Sequence, residues 1–478
     1  MIYAMAKVLN YVYKTPVLLL IFGVLIEISC LEIVRIGDLR TTLAPVMIGD
    51  QPVTILVFWL PFLAAFLVYL LAVSKVWDKR RTADSQDIDR KHFSTFLILF
   101  FAVVFRVTLL FSPPTLSDDV FRYVWDGSIQ NHGINPYLYP PEGSDISAFR
   151  DQYWTSINNK HIPTIYPPLL QILFRVADLT SHTPMAMKVL FMVCDIGVIS
   201  IVLLLLRLYA LPPDRVLIYA WNPLVLVEFA GSGHNDTLAL VLMMAALYAI
   251  MRDRHLLSIL WLALSFVSKF FSVVLIPSFF IQIRKIQPFL LFPLVAVLFY
   301  LLYIDAGMKL FEGLVVYGDK WRFNDSLFTL ALQATGSLTQ AKIVIAVIFL
   351  TIILARLVSG KDHLRTAYIL VGAYLLLTPT LQVWYMVWII PFLCFYPNRA
   401  WLLLSGLTVL SYNVLIQFVQ TGIWHEAMWV RYAEYIPFYL LLIGDAVRKK
   451  WRKSTIPALK PTHDRNKTSQ GNANPLAD

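Results

Sequence analysis

The chain has 478 residues, 58% of them hydrophobic and 15% charged, with a mean hydropathy of +0.66. A water-soluble globular chain carries about a quarter charged residues, so this composition excludes one and makes the bilayer its solvent. The net charge is +10, but the cations gather between apolar runs, so no nucleic-acid partner is expected. Cys30, Cys194 and Cys394 each sit inside an apolar run, which gives no support to a disulfide framework or a thiolate metal site.

Apolar windows of about 15–25 residues, the length that crosses hydrocarbon, fall near 16–35, 53–76, 93–112, 185–206, 216–231, 236–251, 255–268 and 270–283. Others follow near 288–305, 341–358, 366–381, 384–397, 400–422 and 434–447. They predict an all-α, multi-pass transmembrane helical bundle of about 11–14 helices. The windows 216–231, 255–268 and 384–397 are the weakest and can equally be broken or re-entrant. The first window follows only Lys7 and Lys14 and lacks a small-residue cleavage pattern, so it reads as an anchor.

With the N-terminus inside, alternation puts most of the Lys and Arg on one side. They are Lys7, Lys14, a cluster in 75–91, Arg207, Arg215, Arg252, Arg254, Arg284, Lys285, Arg356, Lys361, Arg365, Arg399 and those from Arg448 onward. Positive loops stay cytoplasmic, which predicts both termini in the cytoplasm. Residues 1–453 then form one polytopic domain. Residues 454–478, polar and nearly without apolar side chains, read as a disordered cytoplasmic tail.

Two stretches fall on the opposite, extracytoplasmic side: 113–165 and 306–340. The first is too long for an ordinary connection and too aromatic to be disordered, with Tyr123, Trp125, Tyr137, Tyr139, Tyr153 and Trp154. Within it, Ser117 to Gly127 begins on a capping residue and ends on a glycine, predicting a short helix. Asp119, Arg122, Tyr123 and Asp126 share one face of that helix. Asp118 and Asp119 can simply favour its positive end. A carboxylate beside the membrane surface can also accept a proton from a hydroxyl, the general-base role in sugar transfer. After Tyr166-Pro167-Pro168 an apolar stretch to Ala177 is short for a crossing and reads as an interfacial lid or cavity floor.

Further on, Trp221 to Asp236 ends one span and opens the next through a Gly-rich turn, bringing Glu228, His234, Asn235 and Asp236 to the side of Asp119. The turn can serve as a cap, and its N–H groups can also receive a phosphate. Lys269 either snorkels to the headgroups or balances a lipid-linked phosphate. Lys320 and Arg322 flank Trp321, as in a phosphate clamp with a stacking ring or an interfacial aromatic belt. Arg106, Asp195 and Glu27 lie within spans, where an unpaired charge costs about 2.5–3.5 kcal/mol; a pairing of Arg106 with Asp195 is expected. Gln382, Trp384 and Tyr385 follow an outer helix break and read first as belt residues.

The motifs Leu116-Ser117-Asp118-Asp119-Val120 to Asp126-Gly127, Gly133-Ile134-Asn135-Pro136-Tyr137, Tyr166-Pro167-Pro168, Asn222-Pro223, Gly233-His234-Asn235-Asp236 and Lys269 resemble, in that order, the polytopic membrane glycosyltransferases of the GT-C class. Within the class the chain looks most like the bacterial polyprenol-phosphate-mannose-dependent α-1,6-mannosyltransferase group and its family 87 relatives. The resemblance implies an inverting transfer from a polyprenyl-phosphate-linked sugar to a glycan or glycolipid acceptor on the extracytoplasmic side, with the donor entering from the lipid bilayer. It implies Asp119 as catalytic carboxylate, with Asp118 beside it. The chain departs from the pattern in having two spans ahead of the one that precedes the loop.

Such a transfer needs one base and cations for the departing phosphate, so no cofactor is expected and no metal ligand set is indicated, though a divalent metal is compatible. The donor-binding candidates are Arg122, Tyr123, Asp126, Tyr166, His234, Asn235, Asp236, Lys269, Lys320 and Arg322. A multi-pass lipid or glycolipid transporter, or flippase, is the competing reading. Its usual mark is internal repeats with paired broken helices, and no corresponding halves are seen.

Overall fold

A computed structural model describes residues 2–37, 47–48, 51–52, 54–77, 88–359 and 362–451. The expected tail at 454–478 and part of the basic cluster at 75–91 lie outside them. Three long apolar helices open the chain: α1 (Ile2–Ile36), α2 (Thr54–Trp77) and α3 (Ile88–Leu110). α1 packs against both of the others. Between α1 and α2, Met47–Ile48 pairs antiparallel with Gln51–Pro52.

Among the described residues six helices are long and apolar enough to cross a membrane, or seven if the pair Gln287–Leu301 and Ile304–Lys320, bent by 110°, is one span. Five more apolar helices, including Asp236–Met251, His255–Phe266 and His363–Leu377, run only 10–17 residues. The protein is thus an all-α, multi-pass membrane bundle, and the higher expected count is reached only by including these short helices. The 216–231 window is the clearest departure from an unbroken span. It breaks at Asn222-Pro223, where the Asn222 side chain caps the next turn, and it continues as a π turn over Val227–Gly231. The helix Met428–Trp451 keeps Tyr432, Ile436, Leu440, Ile443 and Val447 exposed at helical spacing and turns Glu434 inward.

The bundle interior resolves the charges in the spans. Arg106 Nε lies 2.6 Å from Asp195 Oδ2, and Tyr219 donates to the other Asp195 oxygen at 2.6 Å. Arg106 also donates to the carbonyls of Ala102 and Ala220, so the expected pairing is present and most of its hydrogen-bonding capacity is used. Glu27 accepts from Thr108 Oγ1.

The segment after α3 builds a cover over one end of the bundle. α4 (Asp119–Asn131) lies against α5 (Pro168–Thr180) and α6 (Pro184–Leu208). The expected stop at Gly127 does not occur. α4 runs through it, because a Cβ there would meet the Phe174 carbonyl oxygen at 2.4 Å; the glycine serves close packing of α4 on α5. The aromatic core of this layer stacks Tyr123 on Phe174 at 4.7 Å, with Tyr166 and Phe191 edge-on to it. α5 is a discrete helix, apolar and exposed at Val176 and Leu179.

Candidate active site

Asp119 begins α4, its N–H bonded to Ser117 Oγ at 3.3 Å. Its side chain keeps 21% exposure, whereas Arg122, Tyr123 and Asp126 on the following turns are buried. Arg122 and Asp126 share a face, as their pairing shows, but of the four only Asp119 stays open. α5 and α6 cover α4 beyond its first turn, and the other three become framework. Arg122 Nε pairs with Asp126 Oδ1 at 2.8 Å, and Gln171 donates to Asp126 Oδ2 at 2.9 Å. Arg122 Nη1 reaches back to the Ile162 carbonyl of the long loop. Tyr166 is tied in by its carbonyl, which accepts from Tyr137 Oη at 2.7 Å.

The loop also supplies a residue that sequence reading passed over. Asn158 Nδ2 donates to Asp119 Oδ1 at 3.0 Å and to Asp118 Oδ1 at 2.5 Å. Its neighbour Ile157 is buried with Trp125, Ile129 and Ile146, so the amide is held where two adjacent carboxylates need a shared donor. One oxygen of Asp119 is thereby oriented, and the other, Oδ2, faces the 232–236 turn. No local pattern around Asn158 signals this; the pairing joins positions 39 residues apart.

Gly233 makes the approach of that turn possible. Its φ is +76°, and a Cβ would lie 2.8 Å from Lys188 Cγ, so both conformation and space call for glycine. Lys188 is itself buried and donates to the carbonyls of Leu110 and Ser112, at 2.6 Å each, fastening the end of α3 beneath the turn. His234 Nδ1 then sits 3.9 Å from Asp119 Oδ2 and its Nε2 lies 3.3 Å from Glu228 Oε2. Tyr412 donates to Glu228 Oε1 at 2.8 Å. The imidazole ring lies flat on Trp384, centroids 3.9 Å apart.

Asp236 heads the next helix. Its Oδ1 accepts from Lys269 Nζ at 2.6 Å and from Trp388 Nε1 at 2.7 Å. Lys269 lies over the rings of Tyr385 at 4.7 Å and Trp388 at 5.5 Å, held by the aromatic faces as well as by charge. The segment read as an aromatic belt is thus the opposite wall of the site: Trp384 and Tyr385 line it together with Trp388, which sequence reading did not single out. Tyr385 continues to Tyr317, their hydroxyls 2.9 Å apart.

Of the second-loop candidates, Arg322 is engaged by Asp325 and Thr329, in a network that Arg431 and Glu426 complete. Lys320 is exposed. This segment is joined to the aromatic wall by the Phe323–Thr380 bridge and by Thr380 Oγ1 donating to the Trp321 carbonyl.

Buried polar atoms are nearly always hydrogen-bonded. Here Glu228 Oε2, both ring nitrogens of His234, both amide atoms of Asn235, Asp236 Oδ2 and Thr237 Oγ1 are buried with no such partner. Each unmade bond costs about 1–3 kcal/mol, and all of these atoms belong to the stretch from Glu228 to Thr237. Among the described residues no group of three or more His, Cys, Asp or Glu is arranged around a metal position.

The loop that carries Asn158 is tethered at its far edge. His182 Nε2 lies 2.6 Å from Asp151 Oδ2, and Nδ1 lies 2.5 Å from Asp178 Oδ1. Partial burial disfavours the charged ring, but hydrogen bonds to Asp178 and Asp151 outweigh it and raise its pKa above the ordinary 6.5.

The N-terminal domain described as alpha-(1->6)-mannopyranosyltransferase matches residues 29–284, more than half of the chain and the part that holds Asp119, His234, Asp236 and Lys269. The chain is also 24% identical over 182 residues to alpha-(1->6)-mannopyranosyltransferase A of Mycobacterium tuberculosis (strain ATCC 25618 / H37Rv). That match covers 37% of this chain and 34% of the relative, so the chain spans about a third of the length of that protein. On the family match, the chain belongs to the alpha-(1->6)-mannopyranosyltransferase family.

Proposed function

We propose that this membrane protein is a glycosyltransferase. It moves mannose or another hexose from a polyprenyl-phosphate carrier to a hydroxyl of a glycan or glycolipid acceptor, with inversion, on the extracytoplasmic side of the membrane. One arrangement carries the reading: Asp119 is partly exposed, has one oxygen held by Asn158 and the other open, and faces a turn of buried polar atoms without partners. The family match supports the reaction class.

In the proposed step the acceptor oxygen bonds to the anomeric carbon and its proton passes to Asp119 Oδ2. The bond from that carbon to the phosphate oxygen breaks, and its electron pair leaves with the polyprenyl phosphate. A single displacement needs one base, unlike the carboxylate pair of a glycosidase. Lys269 is the cation for the departing phosphate. At rest it is neutralised by Asp236, so the donor takes a share of a charge already fixed in place. Lys320 and Arg322 are the outer cations of the same path. His234, Asn235 and Asp236 meet the donor, and Trp384 and Tyr385 offer ring faces to the sugar. Arg122, Tyr123, Asp126 and Tyr166 hold α4 beneath it. Asp118 shares the Asn158 amide and supports the position of Asp119. The step includes no cofactor.

Purified protein given radiolabelled polyprenyl-phosphate mannose and a hydroxyl acceptor should transfer the label. A transporter would carry the labelled lipid across a bilayer unchanged, and that result would replace the enzyme reading.

A further inference from the structure

After Leu301 the chain turns through 110° into the segment Ile304–Lys320, with Gly307 at φ +53° inside it. Tyr303, Ala306, Leu310 and Gly313 are buried, facing the long loop. A Cβ on Gly313 would lie 2.8 Å from the Pro163 carbonyl oxygen, and Asn135 Nδ2 donates to Asp305 Oδ1 at 2.7 Å. The other face carries Ile304, Met308, Phe311 and Val315, which are 61%, 85%, 40% and 58% exposed. Four large apolar side chains are thus exposed along the outward side. The exposed charges Asp305, Lys309, Glu312, Asp319 and Lys320 lie beside that strip, the pattern of an amphipathic segment at a membrane interface, whose charges reach headgroups while the apolar strip meets the acyl boundary.

We infer that Ile304–Lys320 lies flat in one leaflet of the bilayer, its Ile304, Met308, Phe311 and Val315 face in contact with lipid. The occupant follows from continuity. Leu294, Leu298 and Leu301 are exposed on the preceding membrane helix, and Ile304 and Met308 continue that apolar exposure into the bent segment. Lys309 and Lys320 are exposed along it, with stems long enough to reach headgroups. The inner face holds the loop that presents Asn158, and Tyr317 reaches Tyr385 at the aromatic wall. A lipid-seated segment thus sets the height of the Asp119 cluster relative to the leaflet. Most of this stretch falls within the outer loop expected at 306–340, and its exposed side carries apolar and charged residues together.

The test reads accessibility and not transfer, so it stands apart from the reading of Asp119. Nitroxide labels at Met308→Cys and Val315→Cys, in the full chain in phospholipid nanodiscs, are compared with Leu298→Cys for lipid and Asp145→Cys for water. Labels at 308 and 315 should be relaxed by oxygen and lose relaxation by a water-soluble nickel chelate, as at 298. Nickel access equal to that at 145 would overturn the inference, and so would shielding from both reagents, which means a protein cover. If the variants do not fold, a lipid-borne diazirine is used on the unmodified protein. Adducts on the Met308 peptide support the seat; labelling of 287–301 without them overturns it.

Discussion

Two buried charge clusters invite comparison. In the bundle interior, Arg106 and Tyr219 occupy both oxygens of Asp195, and backbone carbonyls take up a second guanidinium nitrogen, leaving Nη2 alone without a partner. At the end of the bundle, the Asp119 and Glu228 side chains each hold one hydrogen bond but approach the His234 ring without making one to it, and the Asn235 side chain makes none. Burial and charge are common to both. The difference is one of degree: the first cluster pairs its carboxylate with the guanidinium across two helices, and the second leaves both ring nitrogens of His234 and the whole Asn235 amide without a hydrogen bond.

The comparison is broken most directly at Asp119. Asp119→Asn should lower transfer by about 10²–10⁴-fold with the protein still folded, measured as turnover of labelled donor beside the melting profile in detergent. Near-normal turnover removes the assignment. Arg106→Ala should do the reverse and act on folding, because stranding one partner of a buried pair costs about 3–5 kcal/mol. A well-folded but inactive Arg106→Ala protein would put the interior pair in the chemistry and erase the distinction drawn above.

Smaller effects sharpen the site. Asn158→Ala frees both oxygens of Asp119 and should reduce kcat by about 10–100-fold, the scale of a misplaced catalytic group, with the KM for donor nearly unchanged. A change confined to KM would make Asn158 a binding residue. Lys269→Ala should weaken donor binding by about tenfold, on the scale of a charge-assisted hydrogen bond. Arg322→Ala should weaken it less, since Asp325 already engages that guanidinium; equal losses would place both cations on the phosphate.

The mildest prediction concerns pH. His182 has its pKa raised in the folded protein by Asp178 and Asp151. Its contribution to loop stability is therefore complete below the unfolded value near 6.5 and is lost as pH rises through the folded value. Hydrogen exchange in residues 144–156 should speed up as the pH passes upward through that window, after correction for intrinsic rates. His182→Asn should remove the transition, and a transition that persists in the variant assigns it elsewhere.

Much of this site is legible along the chain. Asp119 is marked by its place after a capping serine and just beyond an apolar span, and the 232–236 turn by its glycines. What is not legible is which face of α4 stays open. Periodicity groups Asp119 with Arg122, Tyr123 and Asp126, yet α5 and α6 bury the last three, and only packing decides that. Trp384 and Tyr385 look like belt residues because aromatics at a membrane boundary usually are. Their contacts with His234 and Lys269 join segments more than 100 residues apart, and nothing local encodes them.

By itself, then, the amino-acid order determines that the chain lives in a bilayer, where its long apolar helices lie, and which polar groups stand near their ends. These follow from transfer free energies and backbone geometry, both local quantities. The tertiary structure alone decides which polar groups meet. Asp236 finds Trp388, Glu228 finds Tyr412, and Asp119 finds Asn158. A side chain's hydrogen-bond partner depends on how helices pack, and packing is set by the whole set of contacts and not by any one stretch of chain.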